Sequence, residues 1–233
     1  MPSDLRPQTS DLIIAIDGPA GSGKGTVAKR LAKELDLRYL DTGAMYRAVA
    51  LLACRHGLGP NDGEAAAALA QKSSIEFGTG DPQPVFLDRE DTTEAIRSLE
   101  VGELASALSA FPAVRRVLVE RQREILREGG AVLEGRDTTT VVAPDADVKV
   151  FLTASLEERA RRRFEELRAK GLDPDFEELK ADVAARDQRD STRADSPLKV
   201  ADGATVIDTT EMSIEEVVAV IRRLAEKALS DER

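Results

Sequence analysis

The 233-residue chain has one cysteine, Cys54, and one histidine, His56. A single cysteine closes no internal disulfide. One residue of each type leaves neither a zinc-ligand set nor a Cys–His nucleophile pair. Cys54 falls in a helical pattern and reads as a small core residue. His56 is followed by Gly57 and reads as a helix cap or surface residue rather than a catalytic base. No apolar run approaches the length needed to span a bilayer. The first ten residues, MPSDLRPQTS, have neither the basic start nor the apolar centre of a signal peptide. A cytoplasmic protein with no membrane partner is therefore expected. Positive charge is also scarce: 33 Lys and Arg stand against 43 Asp and Glu, a net charge of −10. That balance argues against nonspecific nucleic-acid binding, which needs a basic face. It does not argue against a small phosphate ligand, which responds to local charge.

Hydrophobic residues make up 42% of the chain, enough for a packed core. The length suits one large domain, or one domain carrying an insertion. After a loose polar arm over 1–10, Leu12 to Ile16 form a continuous branched run bounded by Asp11 and Asp17, as in a strand buried on both faces. Similar short segments recur at Arg38–Leu40, Ala131–Leu133, Val148–Leu152 and Ala204–Ile207. Helical patterns follow them, at about Lys24–Asp36, Ala44–His56, Leu156–Lys170, 175–190 and, capped by Ser213, to about Leu229. Alternating strands and helices predict an α/β fold: a five-stranded parallel sheet with helices on both faces. The stretch 60–110 breaks this rhythm. An alanine-rich helix is followed there by Ser74–Phe77 and Val85–Leu87 around a Gly/Pro turn, the pattern of a hairpin in a small α+β insertion.

The strongest chemical signal is Gly18-Pro19-Ala20-Gly21-Ser22-Gly23-Lys24-Gly25-Thr26, placed between a buried strand and a helix. Gly18, Gly21 and Gly23 permit backbone angles that let successive N–H groups turn inward around a phosphate. The following helix adds its positive N-terminal end. Lys24 is positioned to neutralise the β- and γ-phosphates of a nucleoside triphosphate, and Thr26 to offer a hydroxyl to Mg2+. Gly25 intervenes where the general motif has its Ser or Thr directly after the Lys. A purely structural glycine turn, or a nucleotide-gated regulator without chemistry, are the competing readings. The variant resembles the loop of nucleoside monophosphate kinases, which implies transfer from ATP to a monophosphate.

An acceptor phosphate calls for arginines, whose planar fork matches its oxygens in pairs. Four segments carry them: Asp41-Thr42-Gly43-Ala44-Met45-Tyr46-Arg47, Ser106 to Arg115, Glu134-Gly135-Arg136-Asp137, and Arg186-Asp187-Gln188-Arg189-Asp190-Ser191-Thr192-Arg193. Any one of these arginines alone reads equally as a surface ion pair. Taken together with the phosphate loop, the segments DTGAMYR, SAFPAVR, EGRDTTTVVAPDA and RDQRDSTR are similar to bacterial cytidylate kinases, in order from about residue 11 to 229.

The resemblance implies a P-loop NTPase fold over 11–229 with an NMP-binding insertion at 60–110, a short lid with flanking helices at about 156–193, and a tail at 230–233. It implies ATP, CMP and dCMP as small-molecule partners, Mg2+ with the donor, and a monomer. Lys24, Arg136 and Arg193 would be catalytic. Ser106, Arg115 and Asp137 would read the cytosine ring, and Arg47, Arg136 and Arg193 would hold the acceptor phosphate. Arg186 and Asp190 would meet the ribose, with Thr42 and Tyr46 completing the CMP site. Arg159 and Arg163, one helical turn apart, would serve the ATP side from the lid; a solvated face paired with neighbouring glutamates is the plainer reading of that run. The family pattern after Gly-Arg-Asp is Met or Ile and then Gly-Thr. Here it is Thr138-Thr139-Thr140, and position 134 is Glu where several relatives have Asp. A kinase for another monophosphate such as UMP, or an NTP-gated interaction protein, are the alternative functions.

Overall fold

The computed structural model describes residues 11–231; the arm over 1–10 lies outside them. In chain order the elements are β1 (Ile13–Asp17), α1 (Lys24–Leu35), β2 (Arg38–Asp41), α2 (Thr42–Arg55), α3 (Gly63–Lys72), β3 (Ile75–Phe77), β4 (Val85–Leu87), β5 (Glu90–Asp91), α4 (Leu99–Leu108), α5 (Pro112–Leu126), β6 (Ala131–Gly135), β7 (Val148–Thr153), α6 (Leu156–Ala169), α7 (Phe176–Thr192), β8 (Thr205–Asp208) and α8 (Ile214–Asp231). A five-stranded sheet runs β2-β6-β1-β7-β8. β1 pairs in parallel with β6 on one side and β7 on the other, and β7 pairs in parallel with β8. The expected α/β architecture is present. β1 is central because its sequence can be dry on both faces: Ile14, Ala15 and Ile16 are completely buried. Around them Val27, Leu31, Val132, Val150, Leu152 and Ile221 form the main core, bringing α1 and α8 against the strands.

The chain divides into two compact units, 1–40 with 125–233, and 41–124. The sheet core just described belongs to the first. In the second, the strand pair expected around the Gly/Pro turn is real: β3 and β4 are antiparallel, with Ile75 opposite Leu87, and β5 adds a third short strand. A small cluster of Ala44, Ala48, Val85 and Ile96 packs beside this sheet. α4 and α5 were not anticipated. α4 is capped by Ser98, whose hydroxyl accepts from Val101 N at 3.3 Å. α5 was hidden by its charges, since Arg115, Arg116, Glu120, Arg121, Arg123 and Glu124 interrupt its apolar face.

Local chemistry explains several boundaries. α2 starts at Thr42, not Ala44, because the Asp41 carboxylate accepts from Ala44 N at 2.9 Å and caps the helix there. His56 is the C-cap residue of α2, as its Gly neighbour suggested. Cys54 is only half-buried, because α2 turns Leu52 and Ala53 rather than Cys54 fully inward. Ser213 and Glu216 form a reciprocal capping pair at the start of α8, each accepting from the other's backbone N–H. α8 continues to Asp231, past the expected end near Leu229.

Candidate active site

Strand β1 ends at Asp17 and the chain turns at once into the glycine-rich loop. Gly18 has φ +151°, and a β-carbon there would sit 1.9 Å from the Leu152 carbonyl oxygen of β7. Only glycine lets the loop leave the strand this close to its neighbour. Gly23, left-handed at φ 90°, then starts α1. Lys24 is the first residue of α1 and is 5% exposed. Its Nζ donates to the Pro19 carbonyl at 2.8 Å, folding the side chain back over the loop. Burial and the nearby Arg136 push the Lys24 ammonium down to about 7, against the opposing pull of Glu134 and Asp17. Glu134, in β6, faces the start of α1: its Oε1 is 3.2 Å from where a β-carbon on Gly25 would stand, and Tyr39 donates to the same oxygen at 3.4 Å. Thr26 lies in the first turn of α1 and is exposed.

Arg136 follows β6 and donates to Asp190 of α7 at 2.9 Å. Asp190 is 5% exposed. Burial alone would raise its carboxyl, but Arg136, Arg186 and Arg193 together outweigh burial and hold it below the usual carboxylate range. The Arg193 guanidinium lies 3.9 Å from it. The unit containing the phosphate loop thus gathers three of the sequence-selected arginines and Lys24, with one carboxylate tying the arginines together. Asp137 is buried, and its carbonyl accepts from Val141 N at 2.8 Å and Val142 N at 3.3 Å, closing a π-helical turn over Thr138–Val142.

The sequence reading missed how this turn is held. Asp17 is fully buried and accepts four hydrogen bonds: from Thr138 N at 2.9 Å, Thr138 Oγ1 at 2.8 Å, Thr139 N at 2.7 Å and Thr139 Oγ1 at 2.6 Å. The signal was present in the unusual Thr-Thr-Thr, but nothing in linear spacing links positions 17 and 138.

On α6 the arginines separate. Arg159 is 6% exposed, donates to the Ala20 carbonyl at 3.1 Å and pairs with Asp187 at 2.6 Å. Arg163 instead pairs with Glu166 at 2.7 Å, half-exposed on the helix. Arg162, not selected from the sequence, is the second α6 arginine to reach the loop. It donates to the Gly21 carbonyl at 3.4 Å and to the Thr209 carbonyl at 2.6 Å. Thr209 in turn donates to the Ser22 carbonyl at 3.2 Å.

The 41–124 unit holds the other selected residues. Thr42 is buried in the first turn of α2. Tyr46 lies under the Arg115 guanidinium, 5.8 Å from the ring centroid. Arg115 is 2% exposed and donates to the Ser109 carbonyl at 3.3 Å, while Ser109 Oγ donates to the Ser106 carbonyl at 2.8 Å. Ser106, Arg115 and Tyr46 therefore come from α4, α5 and α2 into one neighbourhood. Arg47 donates to the Ile96 carbonyl at 3.2 Å. Among the described residues no group of three or more His, Cys, Asp or Glu could hold a metal, and no helix is long and apolar enough to cross a membrane.

The chain is similar to known proteins. A family model for cytidylate kinase matches residues 14–227. The chain is 51% identical over 223 residues to a cytidylate kinase of Listeria welshimeri, covering 96% of this chain and 100% of that one. It is 52% identical over 219 residues to a cytidylate kinase of Streptococcus pneumoniae, covering 93% and 98%. Among solved structures, an uncharacterized protein from Eubacterium ventriosum superposes with a TM-score of 0.54 at 13% identity over 93% of this chain and 99% of its own, a likeness of fold alone. The phosphate loop, the arginine cluster around Asp190 and a family match spanning nearly the whole sequence lead to one assignment: the chain belongs to the cytidylate kinase family.

Proposed function

We propose that the protein transfers the γ-phosphoryl group of ATP to CMP or dCMP, giving ADP and CDP or dCDP. The observation that carries this reading is a phosphate loop with a buried lysine, in a chain that matches the cytidylate kinase model from residue 14 to 227. ATP would lie on residues 18–26, with backbone N–H groups and the α1 N-terminus toward its phosphates. Lys24 Nζ would exchange the Pro19 carbonyl for phosphate oxygens. Arg159 would support the loop from α6, with Arg163 available from the same helix. Arg47, Arg136 and Arg193 would take the acceptor phosphate, and Ser106, Arg115 and Asp137 the cytosine, with Thr42 and Tyr46 beside them. Arg186 and Asp190 would contact the ribose. Phosphoryl transfer spreads charge over the migrating oxygens, so fixed cations and in-line positioning supply the catalysis without a covalent intermediate.

Mg2+ binds through one or two protein oxygens plus substrate phosphates and retains several waters. The Thr26 hydroxyl and the Glu134 carboxylate, which stands against Gly25 at the start of α1, fit that requirement. Bound with ATP, the ion would neutralise and orient the β- and γ-phosphates. ADP release should be measured with CMP, dCMP, UMP and AMP as acceptors. Rapid turnover with CMP or dCMP is expected; slow hydrolysis indifferent to the monophosphate would overturn the reading, and preference for UMP would move it to another acceptor.

A further inference from the structure

Asp17 has no place in the substrate contacts above, yet it is among the most constrained side chains in the molecule. It is the last residue of the central strand, with Gly135 of β6 and Phe151 of β7 as its lateral partners. The next residue opens the phosphate loop. Its carboxylate is fully buried and satisfied by four short bonds, two from backbone N–H groups and two from hydroxyls. All four donors belong to Thr138 and Thr139, immediately after Asp137.

Asp137 is held twice on its C-terminal side. Its carbonyl is the acceptor that closes the π-helical turn, and the next two residues are fastened to Asp17. Its backbone, at φ −143° and ψ 21°, lies between the strand and helix regions. A conformation of that kind persists when surrounding bonds over-determine it. A base-reading carboxylate must meet an exocyclic amino group within a few tenths of an ångström, and hydrogen bonds weaken steeply as they bend.

We propose that Asp17 is a positioning residue for base selection, its carboxylate anchoring Thr138 and Thr139 so that Asp137 is presented in one orientation from the same strand end that starts the phosphate loop. The proposal rests on the reading of Asp137 as the acceptor for the cytosine amino group.

The test compares kcat/KM for CMP and UMP in four variants. The ratio of the two is independent of how much of a preparation is folded, because both substrates meet the same active enzyme. Asp137→Ala should narrow the CMP/UMP ratio by about tenfold or more, the loss of a hydrogen bond to a charged group. Thr138→Val/Thr139→Val keeps both backbone donors and the side-chain shape but removes both hydroxyls; it should narrow the ratio by roughly fivefold, with the KM for ATP within about twofold of the parent. Thr138→Ser/Thr139→Ser restores the hydroxyls and should restore the ratio. Combining Thr138→Val/Thr139→Val with Asp137→Ala should narrow the ratio no further than Asp137→Ala alone, because the threonines act through Asp137. An unchanged ratio in Asp137→Ala overturns the base-reading assignment and the proposal with it. A narrowed ratio in Asp137→Ala, with CMP and UMP falling equally in Thr138→Val/Thr139→Val, overturns the positioning role alone. A further narrowing in the combined variant does the same.

Discussion

The two compact units handle polar groups in opposite ways. In the unit built on the five-stranded sheet, strand ends place two of the polar groups near the phosphate loop and the flanking helices place the rest. Asp17 ends β1, Arg136 follows β6, and the core beneath is Ile14, Ile16, Val150, Leu152 and Ile221. In the 41–124 unit, Tyr46, Arg47, Ser106 and Arg115 stand on three separate helices, over a three-stranded sheet of strands three, three and two residues long. Its small cluster is half alanine. A donor site needs preorganised N–H groups, which a loop held between a buried strand end and a helix N-terminus supplies. A site built on short strands and alanine-packed helices is cheaper to deform. The short strands and alanine packing of the 41–124 unit predict that it opens more readily than the five-stranded sheet.

The contrast is tested by cutting the main core and by comparing exchange in the two sheets. Ile16→Ala, at a fully buried position in β1, should cost about 2–5 kcal/mol in denaturant unfolding. Amides of β3, β4 and β5 should exchange with solvent well before those of β1 and β7, since opening the small sheet exposes less apolar surface. Equal protection of the two sheets by hydrogen exchange would end the claim that the units differ in rigidity.

Lys24→Ala tests the donor side chemically. It should remove about 2–4 kcal/mol of transition-state stabilisation, with the circular dichroism of the folded protein retained, because Lys24 supplies charge to the loop rather than core packing. Near-parental turnover in a folded variant would mean the loop is only a structural turn. On the acceptor side, Arg47→Ala should weaken CMP use by about 1.5–3 kcal/mol while ATP binding barely changes. A loss shared equally between ATP and CMP would assign Arg47 to the fold, through its bond to the Ile96 carbonyl, and not to the acceptor.

What could be read in advance follows the same division. The branched runs of β1, β6, β7 and β8 and the Lys24 loop were legible because a strand buried on both faces leaves an unbroken apolar signature. The β3–β4 pair was legible from its Gly/Pro turn. α5 was not, because charges punctuate its apolar face. Nor was the four-bond anchorage of Asp17, since residues 121 positions apart meet only once β1 and β6 pair. Spacing on α6 suggested that Arg159 and Arg163 act together, since four residues apart shares a helix face. The structure sends Arg159 to the loop carbonyl of Ala20 and Arg163 to Glu166, while Arg162 reaches Gly21. A shared face does not decide which acceptor a long, flexible guanidinium finds: Arg163 has Glu166 at i+3, whereas Arg159 has Arg162 and Arg163 at i+3 and i+4 and turns to the loop instead.

The smallest expected effect concerns protons. The Lys24 ammonium falls to about 7 from an ordinary 10.5, chiefly through burial, with Arg136 adding repulsion. Because the folded value is depressed, the folded protein binds fewer protons than the unfolded chain between those two values. Below about pH 7 this lysine therefore opposes folding in full, and the opposition lessens as pH rises toward 10.5. ATP bound on the loop as proposed would reverse the local field: phosphate oxygens beside Nζ would favour its charged form and carry its pKa back up. At pH 8 a lysine depressed this far is largely uncharged in the free protein and charged in the complex, so ATP binding should take up a large fraction of one proton. The observed association constant should then fall with pH above 7, by up to about tenfold per unit. Titration calorimetry of MgATP at pH 8, in two buffers of different ionisation enthalpy, reads the uptake directly. Lys24→Met, which keeps the length and removes the charge, should abolish it. Uptake that survives in Lys24→Met would place the proton on another group, and no uptake in the parent protein would mean that Lys24 is already fully charged before the nucleotide arrives.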